Sequence, residues 1–111
     1  MRRLKIALSL VVALALVSIA HAATKEVAVK DNFFKPDRVE IKKGDKVRWV
    51  WKGSDLHNVA LKKPNRTAIA RASEFMVDGT FTHKFRRVGT WRVLCENHPR
   101  KMRMKVIVRS P

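Results

Sequence analysis

The sequence predicts an all-β fold, a Greek-key sandwich of about seven to eight short strands. Three observations carry this expectation. Apolar and polar residues alternate in runs of five to eight, the runs are separated by Gly-, Asp-, Asn- or Pro-containing turn signals, and no helical period persists beyond a couple of turns. Many short strands in one domain of under a hundred residues favour two packed sheets with Greek-key connections.

The strands follow in order. Glu26 to Lys30 alternates, and Arg38-Val39-Glu40-Ile41-Lys42 does the same before a turn at Lys43-Gly44-Asp45. That turn feeds Lys46 to Trp51, where Val47, Trp49 and Trp51 share one face. Gly53-Ser54-Asp55 turns into a strand over Leu56 to Leu61. Residues 62–78 form a longer connection around Pro64-Asn65, with one short helical turn expected over Ala68 to Glu74. Gly79 restarts the alternation through Thr80 to Phe85, with Phe81 and Phe85 inward and His83 expected on the opposite, solvent face. Val88-Gly89 turns into Thr90 to Leu94, and Met102 to Arg109 closes the domain with Met104, Val106 and Val108 inward.

The 111 residues are not all available to this core. Arg2, Arg3 and Lys5 precede an apolar run from Ile6 to Ala20, and Ala20-His21-Ala22 offers small residues for cleavage, the layout of a secretory signal. The run is shorter than the roughly 20 residues a spanning helix needs. Residues 1–22 are therefore expected to be a cleaved signal peptide and residues 23–111 the mature domain, exported to the periplasm or beyond, with no stable membrane insertion.

Charge bounds the partners. Three of the 25 Lys and Arg lie in the leader, leaving 22 against nine Asp and Glu, about +13 for the mature chain. Such a field accelerates encounter with acidic partners. Export argues against nucleic acid, and the cations are scattered from Lys25 to Arg109 rather than gathered in one arm. A merely solubilising surface is the plainer alternative.

An exported domain this small often needs a crosslink or a metal. Disulfides are excluded by the single cysteine, Cys95. A lone thiol is either buried as a small hydrophobe, exposed and open to oxidation, or a metal ligand. Two segments bear on the choice: Leu56-His57-Asn58-Val59, and Cys95-Glu96-Asn97-His98-Pro99-Arg100-Lys101-Met102. Together they hold a thiolate, two imidazoles and a thioether, the donor set associated with blue-copper electron transfer. Cys95 ends one strand and Met102 begins the next, so the intervening loop can wrap around an ion while His57 arrives from a separate strand. Met104 lies on the same side of its strand as Met102 and is an alternative axial donor; ordinary strand or core roles are the alternatives for His57 and His98.

The mature sequence resembles the cupredoxins of the plastocyanin, amicyanin and pseudoazurin kind. The resemblance rests on Phe34-Lys35-Pro36-Asp37, Lys43 to Trp49, His57-Asn58-Val59, Gly79-Thr80-Phe81, Val88-Gly89-Thr90-Trp91, and Cys95 to Met102 leading into Lys105-Val106-Ile107-Val108. It implies one copper ion, cycling between Cu(I) and Cu(II), held by His57, Cys95, His98 and Met102. It also implies that Asn58 braces the two ligand segments near the Cys95 sulfur. Three residues separate His98 from Met102, one more than in the shortest family form. Met104 replaces a glycine common two places after the Met, and Arg100, Lys101 and Arg103 crowd a rim that is usually apolar.

The expected function is single-electron transfer by a monomer whose cationic rim docks the acidic face of a redox protein partner. A copper-delivery or copper-tolerance protein is the second reading. An enzyme is not expected, since Cys95 and His98 share one short loop with no third orienting group for thiol chemistry.

Overall fold

In the computed structural model, which describes residue 9 and residues 21–111, nine strands form two sheets. The leader expected over residues 1–22 lies almost wholly outside the described residues, and none of those described forms a helix long and apolar enough to cross a membrane. The strands are β1 (Thr24–Lys30), β2 (Phe33–Lys35), β3 (Arg38–Lys42), β4 (Lys46–Trp51), β5 (Ala60–Lys62), β6 (Ile69–Ala72), β7 (Thr80–Lys84), β8 (Gly89–Leu94) and β9 (Arg103–Arg109). One sheet runs β2-β1-β4-β7, the other β3-β9-β8-β5-β6. The pairs β1 with β4 and β3 with β9 are parallel, so the chain passes between sheets rather than folding as a simple meander.

Alternation produces the core. Val47, Trp49 and Trp51 of β4 face Trp91 and Val93 of β8 and Met104, Val106 and Val108 of β9, all buried between the sheets. Each such side chain contributes about 1.5–3 kcal/mol by leaving water. Trp49 also reaches across the sandwich, its Nε1–H donating to Met104 Sδ at 3.2 Å. The turn after β3 needs Gly44 at φ +98°, where a side chain would be strained. Gly44 N–H then donates to the Phe85 carbonyl at 2.7 Å, tying the turn to the end of β7.

Three expectations are corrected. The segment foreseen as a helical turn is strand β6, which pairs antiparallel with β5 through Ala60–Ala72 and Leu61–Arg71. All four of its residues are exposed, so no apolar alternation marks it; it forms because it satisfies the backbone edge of β5. The strand expected from Leu56 to Leu61 shrinks to β5, with His57 making only an isolated bridge to Met76. The short β2 was not foreseen.

His83 is the third correction. A two-residue period puts positions 81, 83 and 85 on one face, and His83 points inward with Phe81 and Phe85. Its ring meets Phe85 edge-on at 4.7 Å between centroids and lies 5.6 Å from Trp91. Arg71 donates to its Nδ1 at 3.0 Å, so that nitrogen is an acceptor. Desolvation first, then the Arg71 and Arg86 charges, lower its pKa from 6.5 to about 4.

The unfolded chain takes up this proton near 6.5 while the folded one resists until about 4. Stability attributable to His83 is thus full above 6.5 and is lost progressively as pH falls toward 4. His83→Phe is expected to flatten the dependence of Tm on pH across that window relative to the parent. An identical pH slope in both proteins would show that the imidazole stays solvated.

Candidate metal centre

Parallel pairing of β1 with β4 brings the ends of both strands to one pole of the sandwich. β8 ends there and β9 begins there. The turns after β1 and β4 and the loop between β8 and β9 therefore meet, although they lie far apart in sequence.

His57, Cys95 and Met102 are fully buried at this pole. Cys95 Sγ and His57 Nδ1 stand 3.8 Å apart, a separation suited to two donors of one ion. The His57 and His98 rings lie 5.6 Å apart between centroids, and His98 is only partly covered. Loop geometry follows from three backbone bonds. His98 N–H donates to the Cys95 carbonyl at 3.1 Å, Met102 N–H to the His98 carbonyl at 2.9 Å, and Cys95 N–H to the Met102 carbonyl at 3.1 Å. The loop thus closes on itself, bringing Cys95 and Met102 side by side at the feet of their strands.

A cysteine sulfur that can bind as thiolate, two imidazoles and a thioether gathered at one pole suit a soft, redox-active metal. The donor chemistry and the facing of Sγ and Nδ1 therefore fit copper. Met104, the alternative axial donor, is occupied elsewhere: its sulfur accepts the Trp49 N–H within the core.

Asn58 bridges the two segments that carry the candidate ligands. Its Oδ1 accepts the Glu96 N–H at 2.8 Å, and its Nδ2 donates to Glu96 Oε1 at 2.9 Å. Asn97 adds a bond to the Leu56 carbonyl at 3.1 Å. The His57 backbone is held as well, since its carbonyl accepts the Trp51 Nε1–H at 3.1 Å and its N–H and C=O pair with Met76.

One contributor carries no local signal in the sequence. Asp31, in the turn after β1, places Oδ1 3.1 Å from His57 Nε2, the ring nitrogen facing away from Cys95. The same oxygen accepts the N–H groups of Ser54 at 3.0 Å and Asp55 at 2.9 Å. The approach requires Gly53, where a Cβ would overlap the Asp31 carboxylate. Hydrogen bonds from Asp55 and Ser54, then from His57, hold the Asp31 carboxyl below its ordinary pKa. Asp31, Asp55 and His57 also lie close enough to suggest a second cation site. The two amide N–H groups aimed at the carboxylate mark it instead as a brace, one that faces His57 Nε2 while Nδ1 faces Cys95. Gly53-Ser54-Asp55 read as a turn, but nothing local marked Asp31 as its partner.

A shallow depression outside the pole is lined by His98, Pro99, Arg100 and Lys101. Arg100, Lys101 and Arg103 are exposed there, and Arg103 Nε donates to the Pro99 carbonyl.

Comparison with known proteins gives a consistent picture. The sequence profile of copper binding proteins, plastocyanin/azurin family, matches residues 21–109. No curated protein sequence shows significant similarity. Among solved structures, a reduced amicyanin variant is 26% identical with a TM-score of 0.67, the match covering 83% of this chain and 87% of that one. A purple cupredoxin from Nitrosopumilus maritimus is 21% identical with a TM-score of 0.61, over 77% of this chain and 99% of the other. A copper-containing nitrite reductase from Thermus scotoductus matches at 19% identity and a TM-score of 0.64, but over only 23% of its own length.

In the metal-free protein, nitrogen NMR of His57 is expected to report the Nε2–H tautomer. Asp31→Ala should lose that preference and speed amide exchange at Ser54 and Asp55, while Asp31→Asn keeps part of both effects. A tautomer unchanged in Asp31→Ala would show that other contacts hold the ring.

Proposed function

The chain belongs to the plastocyanin/azurin family of copper-binding proteins, and on that premise we propose that it is an electron carrier holding one copper ion through His57, Cys95, His98 and Met102. The observation that carries this reading is the facing of buried Cys95 Sγ and His57 Nδ1 at 3.8 Å, at the pole where His98 reaches the surface. Copper, when bound, supplies the one-electron change between Cu(I) and Cu(II).

The protein's residues do the rest. Cys95 and His57 offer the thiolate and one imidazole from positions braced by Asn58, Glu96 and Asp31, so little rearrangement accompanies a change of charge. Burial of Cys95, His57 and Met102 excludes water and favours retention over release, which weighs for a carrier against copper delivery. His98 offers the second imidazole and, through its partly exposed edge, the exit for the electron. Engagement of Met104 by Trp49 supports Met102 as the axial donor.

The carrier reading includes no enzymatic step. It includes a cleaved leader over residues 1–22, a periplasmic mature domain over residues 23–111, and a monomer that meets a separate redox protein. Arg100, Lys101 and Arg103 around the His98 edge call for an acidic docking face on that partner. Their charge also favours Cu(I), the form with less positive charge, and so raises the reduction potential.

Addition of Cu(II) to the purified mature protein is expected to produce an intense thiolate-to-copper band that Cys95→Ser abolishes. A weak ligand-field spectrum alone would sink the proposal. Met102→Gln should shift that band and the potential. Met104→Leu should leave the band in place while lowering stability by about 1 kcal/mol through the lost Trp49 hydrogen bond.

Replacing Arg100 and Lys101 together by Gln should lower the potential and flatten the salt dependence of electron exchange with an acidic partner. If neither quantity moves, the rim does not guide docking.

A further inference from the structure

Across the outer face of the five-stranded sheet, four cations stand in one row. Arg38 of β3 lies opposite Lys105 of β9, Lys105 opposite Arg92 of β8, and Arg92 opposite Lys62 of β5. Neighbouring strands are about 4.8 Å apart, so the row extends about 14 Å. Like charges directly opposite one another destabilise a sheet. Three such pairs in succession oppose folding, and the core does not require them, because these side chains point away from it.

Only Arg38, at one end of the row, has a carboxylate partner, and cations elsewhere on the surface, Arg48 and Arg109, are paired in the same way. Glu40 pairs with Arg38 and Arg109 at 3.1 and 3.2 Å, and Glu26 with Arg48 at 3.0 Å. Among the described residues, no carboxylate pairs with Lys62, Arg92 or Lys105. Arg92 donates to the Arg66 carbonyl at 2.9 Å, which orients the guanidinium without neutralising it. The row lines a groove of about 370 Å³ in which Arg103 adds a fifth cation and Asp37 is the one acid. Arg103 also donates to the Pro99 carbonyl, so the groove lies beside the rim that carries His98.

We propose that this groove is a second docking surface, which receives an extended acidic segment of a partner protein. A groove suits a chain better than a bilayer, since a flat membrane meets the rims and not the floor. In an extended segment, carboxylates on one face recur about every 6.8 Å, so about three of them fit along the row. The planar guanidinium of Arg92 matches a carboxylate through two parallel hydrogen bonds. The copper reading enters only in the choice of a protein as the partner; the groove itself is built without any metal ligand.

The test is a titration of the isotopically labelled mature protein with an oligoglutamate peptide of about ten residues at low salt. Inorganic polyphosphate and anionic phosphatidylglycerol vesicles serve as parallel probes. Oligoglutamate is expected to shift the amide signals of Arg38, Lys62, Arg92 and Lys105. Lys62→Gln combined with Arg92→Gln should weaken its binding about tenfold, the effect of losing two surface ion pairs. The pair Arg100→Gln and Lys101→Gln should leave those four shifts in place, which separates this surface from the rim and from the carrier reading. The Lys62 and Arg92 double variant should also keep or raise the parent Tm, because like charges have been removed. Shifts confined to residues 98–103, response of the row to polyphosphate or vesicles but not to oligoglutamate, or a lowered Tm would each overturn the proposal.

Discussion

Two hydrogen bonds join Asn58 to Glu96, and the geometry of the metal pole depends on them. Each partner adjoins a proposed donor, Asn58 following His57 and Glu96 following Cys95. The strands behind them, β5 and β8, pair from Ala60–Leu94 onward, so the Asn58 amide extends the ladder where the backbone itself has diverged. A side-chain amide imitating a peptide fixes the spacing of two ligand segments 38 residues apart before any ion arrives. Asn58 is also almost wholly buried, and a buried amide stripped of its partners costs about 1–3 kcal/mol. Breaking the clamp while Asn58 stays buried would incur that cost.

What could be read from the sequence was what alternation and donor chemistry reveal. β3, β4, β8 and β9 each carry an apolar face, and the Cys95 to Met102 segment gathers its donors within a few residues. β6 carries no apolar face, so its strand character comes from the free edge of β5 and is invisible locally. His83 shows the opposite failure: its position was legible from the two-residue period, but its polarity suggested solvent. Asp31 was hidden because its tie to His57 spans 26 residues and depends on the parallel register of β1 with β4, where Val29 lies opposite Trp51. Met102, just before β9, and Met104, within it, are both buried and two residues apart, and only the Trp49 contact distinguishes their surroundings.

The acidic residues explain how so basic a chain distributes its charge. Asp31 caps the Ser54 and Asp55 amides, Asp45 accepts the N–H groups of Ala23 and Lys42, and Glu96 answers Asn58. Glu26 and Glu40 pair with arginines. Five of the nine acids are thus committed to architecture or to local ion pairs, and few remain to quench the cations. The surface field follows from this division of labour as much as from the number of lysines and arginines.

The Cys95 thiol lies beneath the surface with no accessible area. Thiol–disulfide exchange requires contact between a thiolate and another sulfur, and a sealed pole denies that contact to any dissolved disulfide or to a second copy of the chain. Folding and metal uptake are thereby uncoupled in time: a chain that closes before it meets an ion keeps its sulfur intact and waits, with its shelf life set by the rate at which the pole opens.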